Sequence, residues 1–137
     1  MSELSYISSC SKKILTSEQQ QIKLNLINAL NKYKSNLADI NNYQILLNSN
    51  LISDKKKNVI ECKIKYLKLR LSYLDNLIEP LSLLDKNIIY YRFIEGLTYR
   101  KILLKINRFS SVNTLHVHVI RLLDGLTLRT DPIIFQG

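Results

Sequence analysis

Tryptophan is absent from this 137-residue chain, and glycine (3), proline (2) and cysteine (2) are scarce. Few breakers beside many straight-chain residues favour an almost all-helical protein. Cys10 and Cys62 stand alone, with no CxxC pair and no zinc-ligand spacing. Two reduced thiols are therefore expected, in a cytoplasm. No uninterrupted run of 18 or more apolar residues occurs and no signal peptide is recognisable, so neither a membrane-spanning nor a secreted protein is expected. Acids are also sparse, at 11 against 20 Lys and Arg. No paired-carboxylate cluster, nucleophile elbow or glycine-rich phosphate loop is found, which predicts that the protein is not an enzyme and needs no cofactor.

What is present points to a packed core with a basic surface. Hydrophobic residues make up 46% of the chain, enough to bury a core. The net charge is +9 and the pI about 9.6. Residues 1–80 contribute +5 and residues 81–137 contribute +4, so the charge is spread along the chain. That balance fits a polyanion, most often nucleic acid. An anionic membrane surface fits less well, because Trp and Phe are missing from the apolar faces of the long N-terminal helices.

Residues 1–16 are polar and serine-rich and read as a flexible start. Ser17 before EQQQ reads as a helix N-cap. Ile22, Leu26, Ala29, Leu30, Tyr33, Leu37 and Ile40 then recur at helical spacing, and Tyr43 and Leu47 continue the face to a turn at 48–50. Ser53 is the next N-cap candidate. After it, Ile60, Ile64, Leu67, Leu71 and Leu74 form a heptad-like seam that ends at Glu79-Pro80. The region 17–79 thus reads as two long helices, either a hairpin folded on itself or an oligomerisation seam that makes a homodimer.

Leu81, Leu84, Ile88, Ile89 and Phe93 mark a shorter helix that ends at Gly96, a left-handed cap. Thr98 caps a brief helix from Tyr99 to Lys105 with Ile102, Leu103 and Ile106 inward. NRFSS breaks it. Ser110 or Ser111 caps a last helix whose buried stripe is Leu115, Val119, Leu122, Leu123 and Leu126. Gly125 and the TDP of 130–132 mark its end, leaving 127–137 as a C-terminal tail.

The two histidines of the last helix, His116 and His118, lie two residues apart and so on different faces. They cannot chelate one metal together, since helical ligand pairs need a spacing of three or four. No metal site is predicted. The outer face of that helix, Val112, Asn113, His116, Val117 and Ile120, is polar to mildly apolar and carries no acid. Arg100, Lys105, Arg108 and Arg121 surround it. Base-edge donors and methyl-contacting aliphatics ringed by cations are what a helix in the major groove needs. The predicted double-stranded-DNA contacts are Thr98, Tyr99, Arg100, Lys105, Arg108, Ser110, Ser111, Asn113, Thr114, His116, Val117, Ile120 and Arg121.

The stretch LSLLDKNIIYYRFIEGLTYRKILLKI resembles the helix-turn-helix of region four of sigma factors. The matching residues are Leu81 and Leu84, Arg92 and Gly96, Leu97-Thr98-Tyr99 with Ile102, then Ser111, Thr114-Leu115 and Arg121-Leu122-Leu123. The chain departs from that pattern at Lys101 and Leu103, where Glu and Ala are usual, and in a turn about two residues longer than the family's usual one. Together with two long helices before it, ALNKYKSNLADI among them, this architecture resembles the ArpU/RinA group of phage late-transcription regulators. The resemblance implies an all-α protein of two N-terminal helices and a helix-turn-helix over 81–126. It implies a sequence-specific DNA-binding regulator, a late-gene activator acting with host RNA polymerase. Two other classes share these features: a small-terminase-like packaging subunit, and a protein-interaction module such as an anti-repressor or polymerase-binding protein.

Overall fold

A computed structural model describes residues 14–135, and every regular element among them is helical. The elements are α1 (Ser17–Asn31), α2 (Tyr33–Leu47), α3 (Asp54–Ile78), α4 (Leu83–Ile89), a π-helical turn (Tyr90–Ile94), α5 (Tyr99–Lys105), α6 (Val112–Leu128) and a 3₁₀ turn (Pro132–Phe135). None is long and apolar enough to cross a membrane.

The starts of the helices follow side-chain chemistry. Thr16, not Ser17, caps α1. Its hydroxyl accepts the Gln19 N–H at 3.1 Å and the Gln19 amide accepts the Thr16 N–H at 2.9 Å, a reciprocal capping box. The expected flexible start therefore stops short of Leu15, which is buried, and of Thr16; the rest of it, residues 1–13, lies outside the described residues. Ser53, Ser82, Thr98 and Ser111 cap α3, α4, α5 and α6 in the same way, each accepting the N–H three residues on. α3 stops at Pro80, which has no N–H to donate. Glu79 itself keeps a helical backbone (φ −52°, ψ −40°), so the missing donor and not the usual pre-proline restriction ends the helix.

The first expected helix is two. Lys32 (φ −93°, ψ 3°) ends α1, and its N–H is shared between the carbonyls of Asn28 and Leu30. The break lies between two different burial partners. On one side Leu26, Ala29 and Leu30 join a core with Leu74, Leu77, Ile88, Ile89, Phe93, Ile102, Ile106, Leu115, Val119, Leu123 and Leu126. On the other, Ile40 packs with Ile60, Ile64 and Leu71, flanked by Tyr33, Tyr43, Leu47, Ile52 and Leu67. The main core therefore does not divide at Glu79-Pro80: α1 and the C-terminal end of α3 belong to it together with α4, α5 and α6.

α2 runs antiparallel to α3. The Tyr33 hydroxyl meets Asp75 at 2.6 Å, whereas Tyr43, ten residues on, has Lys63 above its ring at 5.7 Å. This packing corrects one expectation. Ile60, Ile64, Leu71 and Leu74 are each at most 7% exposed, and α2 and the main core cover them from within the chain. As placed here, with Leu67 half-buried beside them, they leave no seam for a second copy.

The end of the chain is also packed. α6 runs through Gly125 to Leu128, because Leu126 and Thr127 beyond the glycine are buried. A Cβ at Gly125 would meet nothing within 4 Å. The Thr127 and Thr130 hydroxyls donate back to the carbonyls of Leu123 and Leu126, each at 2.8 Å. Arg129 donates to the Leu77 carbonyl at 3.1 Å, and the Asp131 N–H reaches the Tyr73 hydroxyl at 2.7 Å. The expected tail from residue 127 is thus tied to α3 at Arg129 and Asp131; its residues 136 and 137 lie outside the described residues.

Two measurements check this packing. Leu74 is 1% exposed, so Leu74→Ala should lower unfolding stability in urea by about 2–5 kcal/mol, and Leu67→Ala by less because its side chain is only half-buried. Tyr33 is pushed up to about 12, by burial first and then by its hydrogen bond to the Asp75 carboxylate. A raised acid pKa means that the neutral phenol stabilises the fold. Its contribution is complete below the usual phenol pKa of about 10 and is lost as pH rises through the folded value. Denaturant melts of wild type and Tyr33→Phe should therefore keep a constant difference up to about pH 10, which shrinks or reverses in favour of Phe towards pH 12.

Candidate nucleic-acid interface

The surface of interest is built on the turn from the π-helical segment to α5 and on the N-terminal half of α6. At the end of the π-helical segment the Glu95 N–H bonds the Tyr90 carbonyl and the Leu97 N–H bonds the Tyr91 carbonyl, both at 2.8 Å. This wide closure needs Gly96 at φ +74°, a left-handed conformation open to glycine at little cost. The extra-wide turn was not legible in the hydrophobic spacing, which continues through Phe93 as in an ordinary helix.

Arg92 holds the turn. Its guanidinium donates to the Leu97 carbonyl at 3.1 Å and lies 4.0 Å from the centre of the Tyr99 ring. Tyr99 in turn meets His116 edge-on, with ring centres 5.1 Å apart. A stack of Arg92, Tyr99 and His116 thus ties the π-helical turn, α5 and α6 into one unit. Tyr99, expected as a DNA contact, is half-buried in that stack and braces the three elements.

The two histidines do different things. His116 is exposed beside Tyr99. His118 is half-buried, with Nε2 2.8 Å from the Asp85 carboxylate and its ring against Phe109. The Asp85 contact, 33 residues away in sequence, joins α6 to α4 and leaves no local signal. Among the described residues no group of three His, Cys, Asp or Glu side chains is placed to hold a metal ion.

Most of the remaining predicted contacts are accessible, and Lys105 lies 5.7 Å from the centre of the Tyr91 ring. Thr98, Arg100, Lys105, Arg108, Ser110, Ser111, Asn113, Thr114, His116, Val117 and Arg121 are exposed, and Ile120 is half-buried. Of the alternatives at 110 and 111, Ser111 is the cap, accepting the Thr114 N–H at 3.1 Å; Ser110 only reaches the Thr114 hydroxyl at 3.3 Å. Phe109, Asn113, Thr114, Val117, His118 and Arg121 line a shallow cleft of about 360 Å³ along α6. Behind the face Leu115 and Val119 are fully buried.

Electrostatics favour an anion here. No Asp or Glu occurs from residue 96 to 123. Arg100, Lys101, Arg108 and Arg121 make no ion pair among the described residues. The neighbouring acids are engaged elsewhere. Asp124 pairs with Lys23 at 2.8 Å, Asp85 faces His118, and Glu95 takes the Lys34 ammonium at 2.9 Å. Hydrogen bonds from Tyr90 and then Lys34 hold the Glu95 carboxyl below its usual range, while the same carboxylate pushes Tyr90 up. Lys101 was not among the predicted contacts, although it is exposed on α5 between Arg100 and Ile102.

Comparison with protein-family models, curated proteins and solved structures finds no match for this chain.

The clamp at Arg92 has a measurable consequence. Arg92→Ala removes a half-buried donor and the cation over Tyr99. It should destabilise the protein by about 1–3 kcal/mol. Arg92→Lys should recover less than half of that loss, because an ammonium cannot lie flat on the ring while reaching the carbonyl. Full recovery in thermal melts of Arg92→Lys would contradict the stacked geometry.

Proposed function

We propose that the protein is a sequence-specific double-stranded-DNA-binding regulator of transcription, with α5, the turn 106–111 and α6 acting as a helix-turn-helix. The observation that carries this reading is the two-sidedness of the N-terminal half of α6. Leu115 and Val119 anchor it, while Asn113, His116 and Val117 face outward in a region without acids. Asn can bond adenine through two hydrogen bonds, and Val117 and Ile120 can contact thymine methyls. Arg100, Lys105, Arg108 and Arg121 would supply the cations for phosphates flanking the groove. The stack of Arg92, Tyr99 and His116 supports it, since a reading helix needs a fixed angle to the helix that braces it.

A late-gene activator working with host RNA polymerase is the specific form of this reading. It rests on the order Arg92, Gly96, Leu97-Thr98-Tyr99, Ser111, Thr114-Leu115 and Arg121-Leu122-Leu123, which is similar to region four of sigma factors and the ArpU/RinA group. A homodimer through Ile60, Ile64, Leu71 and Leu74 is not part of it, because those side chains are filled from within the chain.

Binding of labelled duplexes over a range of salt tests the proposal. Affinity should fall steeply with salt. Arg100→Ala and Arg121→Ala should weaken binding to every sequence and each flatten the log–log salt slope by about 0.9. Asn113→Ala should instead cost about 1–3 kcal/mol at one base pair of a selected site and little on random DNA. Absence of duplex binding at about 50 mM salt would overturn the proposal, because phosphate contacts are strongest there.

A further inference from the structure

α3 carries a second periodicity besides its buried one. Val59, Cys62, Tyr66, Leu69 and Tyr73 recur at spacings of 3, 4, 3 and 4 residues, the pattern of a coiled-coil seam. They lie on the side of α3 turned away from α2. Val59 is 50%, Tyr66 46% and Leu69 58% exposed, and Cys62 is exposed as well. Tyr73 closes one end, where its hydroxyl accepts the Asp131 N–H. The open stretch from Val59 to Leu69 is roughly 15 Å long, room for about three turns of a partner helix.

We propose that this face docks an acidic amphipathic helix of another protein. Charge complementarity selects the occupant. In a heptad with Val59, Tyr66 and Tyr73 at a, the e positions are Lys63 and Arg70 and the charged g position is Lys65, so both edges are positive. The acids of α3, Asp54, Glu61 and Asp75, all fall at c, about 130° round the helix from the seam. Arg70 is braced for its place: it donates to the Tyr66 hydroxyl at 2.8 Å and its guanidinium lies 5.5 Å from that ring centre.

A second copy of this chain fits badly. Parallel pairing sets Lys65 against Arg70 of the other copy, and antiparallel pairing sets Lys65 against Lys65 and Lys63 against Arg70. Glutamates at the edge positions of a partner helix would meet cations in either direction. A bilayer is a poorer occupant, because the seam holds no Trp or Phe and a lipid surface has no use for a strict 3.5-residue period. The inference stands on α3 alone and does not depend on the DNA-binding reading.

The test uses the full chain and a labelled designed peptide of about three heptads, with Leu at a and d and Glu at e and g, beside a twin with Lys at e and g. The Glu peptide should bind by fluorescence anisotropy and protect Cys62 from alkylation in a Cys10→Ser background, and the Lys twin should do neither. Leu69→Glu should weaken peptide binding at least about tenfold, with circular dichroism and duplex-DNA affinity unchanged. Arg100→Gln lowers the net charge by the same amount but lies off the seam, so it should leave peptide binding unchanged. Failure of the Glu peptide to bind, equal binding of both peptides, or indifference to Leu69→Glu would overturn the proposal. So would a wild-type dimer in light scattering that Leu69→Glu dissolves, or capture by anionic phosphatidylglycerol vesicles that the same substitution abolishes.

Discussion

The burial of α3 is the constraint on which the rest of the structure depends. Its inner stripe runs from Ile60 to Leu77 along a 25-residue helix, too long for any one partner in this chain to cover. α2 covers the N-terminal half, at Ile60, Ile64 and Leu71. α1, α4 and α6 meet the C-terminal end, at Leu74 and Leu77. The helix is interrupted between α1 and α2 at Lys32, an exposed residue, where the burial partner changes. α3 also receives the end of the chain through the Leu77 carbonyl and the Tyr73 hydroxyl. α6 is anchored there by its C-terminal end, and Leu115 and Val119 seat its N-terminal half in the same core with Asn113, His116 and Val117 outward.

This arrangement explains which parts were legible in the sequence. Ser53, Thr98 and Ser111 were recognisable as caps, since a hydroxyl accepting the N–H three residues on is local chemistry. Gly96 was recognisable because a left-handed residue is local too. The break at Lys32 was not, because the apolar stripe of Leu26, Leu30, Tyr33, Leu37 and Ile40 crosses it without changing period. What changes there is the partner, and periodicity does not report partners. Gly125 misled for the converse reason. A glycine costs a helix only about 1 kcal/mol, and burial of Leu126 and Thr127 beyond it outweighs that.

The candidate interface divides along the same line. Its outward residues were named from pattern alone, because a stripe of buried Leu115, Val119 and Leu123 fixes the opposite face of α6. Its bracing contacts were not. Arg92 to Tyr99, Tyr99 to His116 and His118 to Asp85 join separate elements. Of these residues Arg92 and Tyr99 stood in the motif, and no bracing role for either was readable there. The seam Ile60 to Leu74 shows the limit most clearly. Its heptad spacing is real, but a helix two residues from α1 fills it, so spacing could not say whether the filler would be this chain or another.

The two positive surfaces of the molecule therefore differ in kind. At α5 and α6 the cations accompany polar side chains, Asn113, Thr114 and His116, so attraction to the proposed DNA would be mostly Coulombic, and counterion release would make it steeply salt-dependent. Along α3 the cations border Val59, Tyr66 and Leu69, so removal of apolar surface from water would supply most of the attraction to the proposed helix and charge would chiefly select it. Salt at several tenths molar shortens the screening length to a few ångströms. It weakens the first surface far more than the second. Under the two proposals, α3 would keep its partner at salt concentrations that release a polyanion from the α5–α6 surface, because different forces would govern the two contacts.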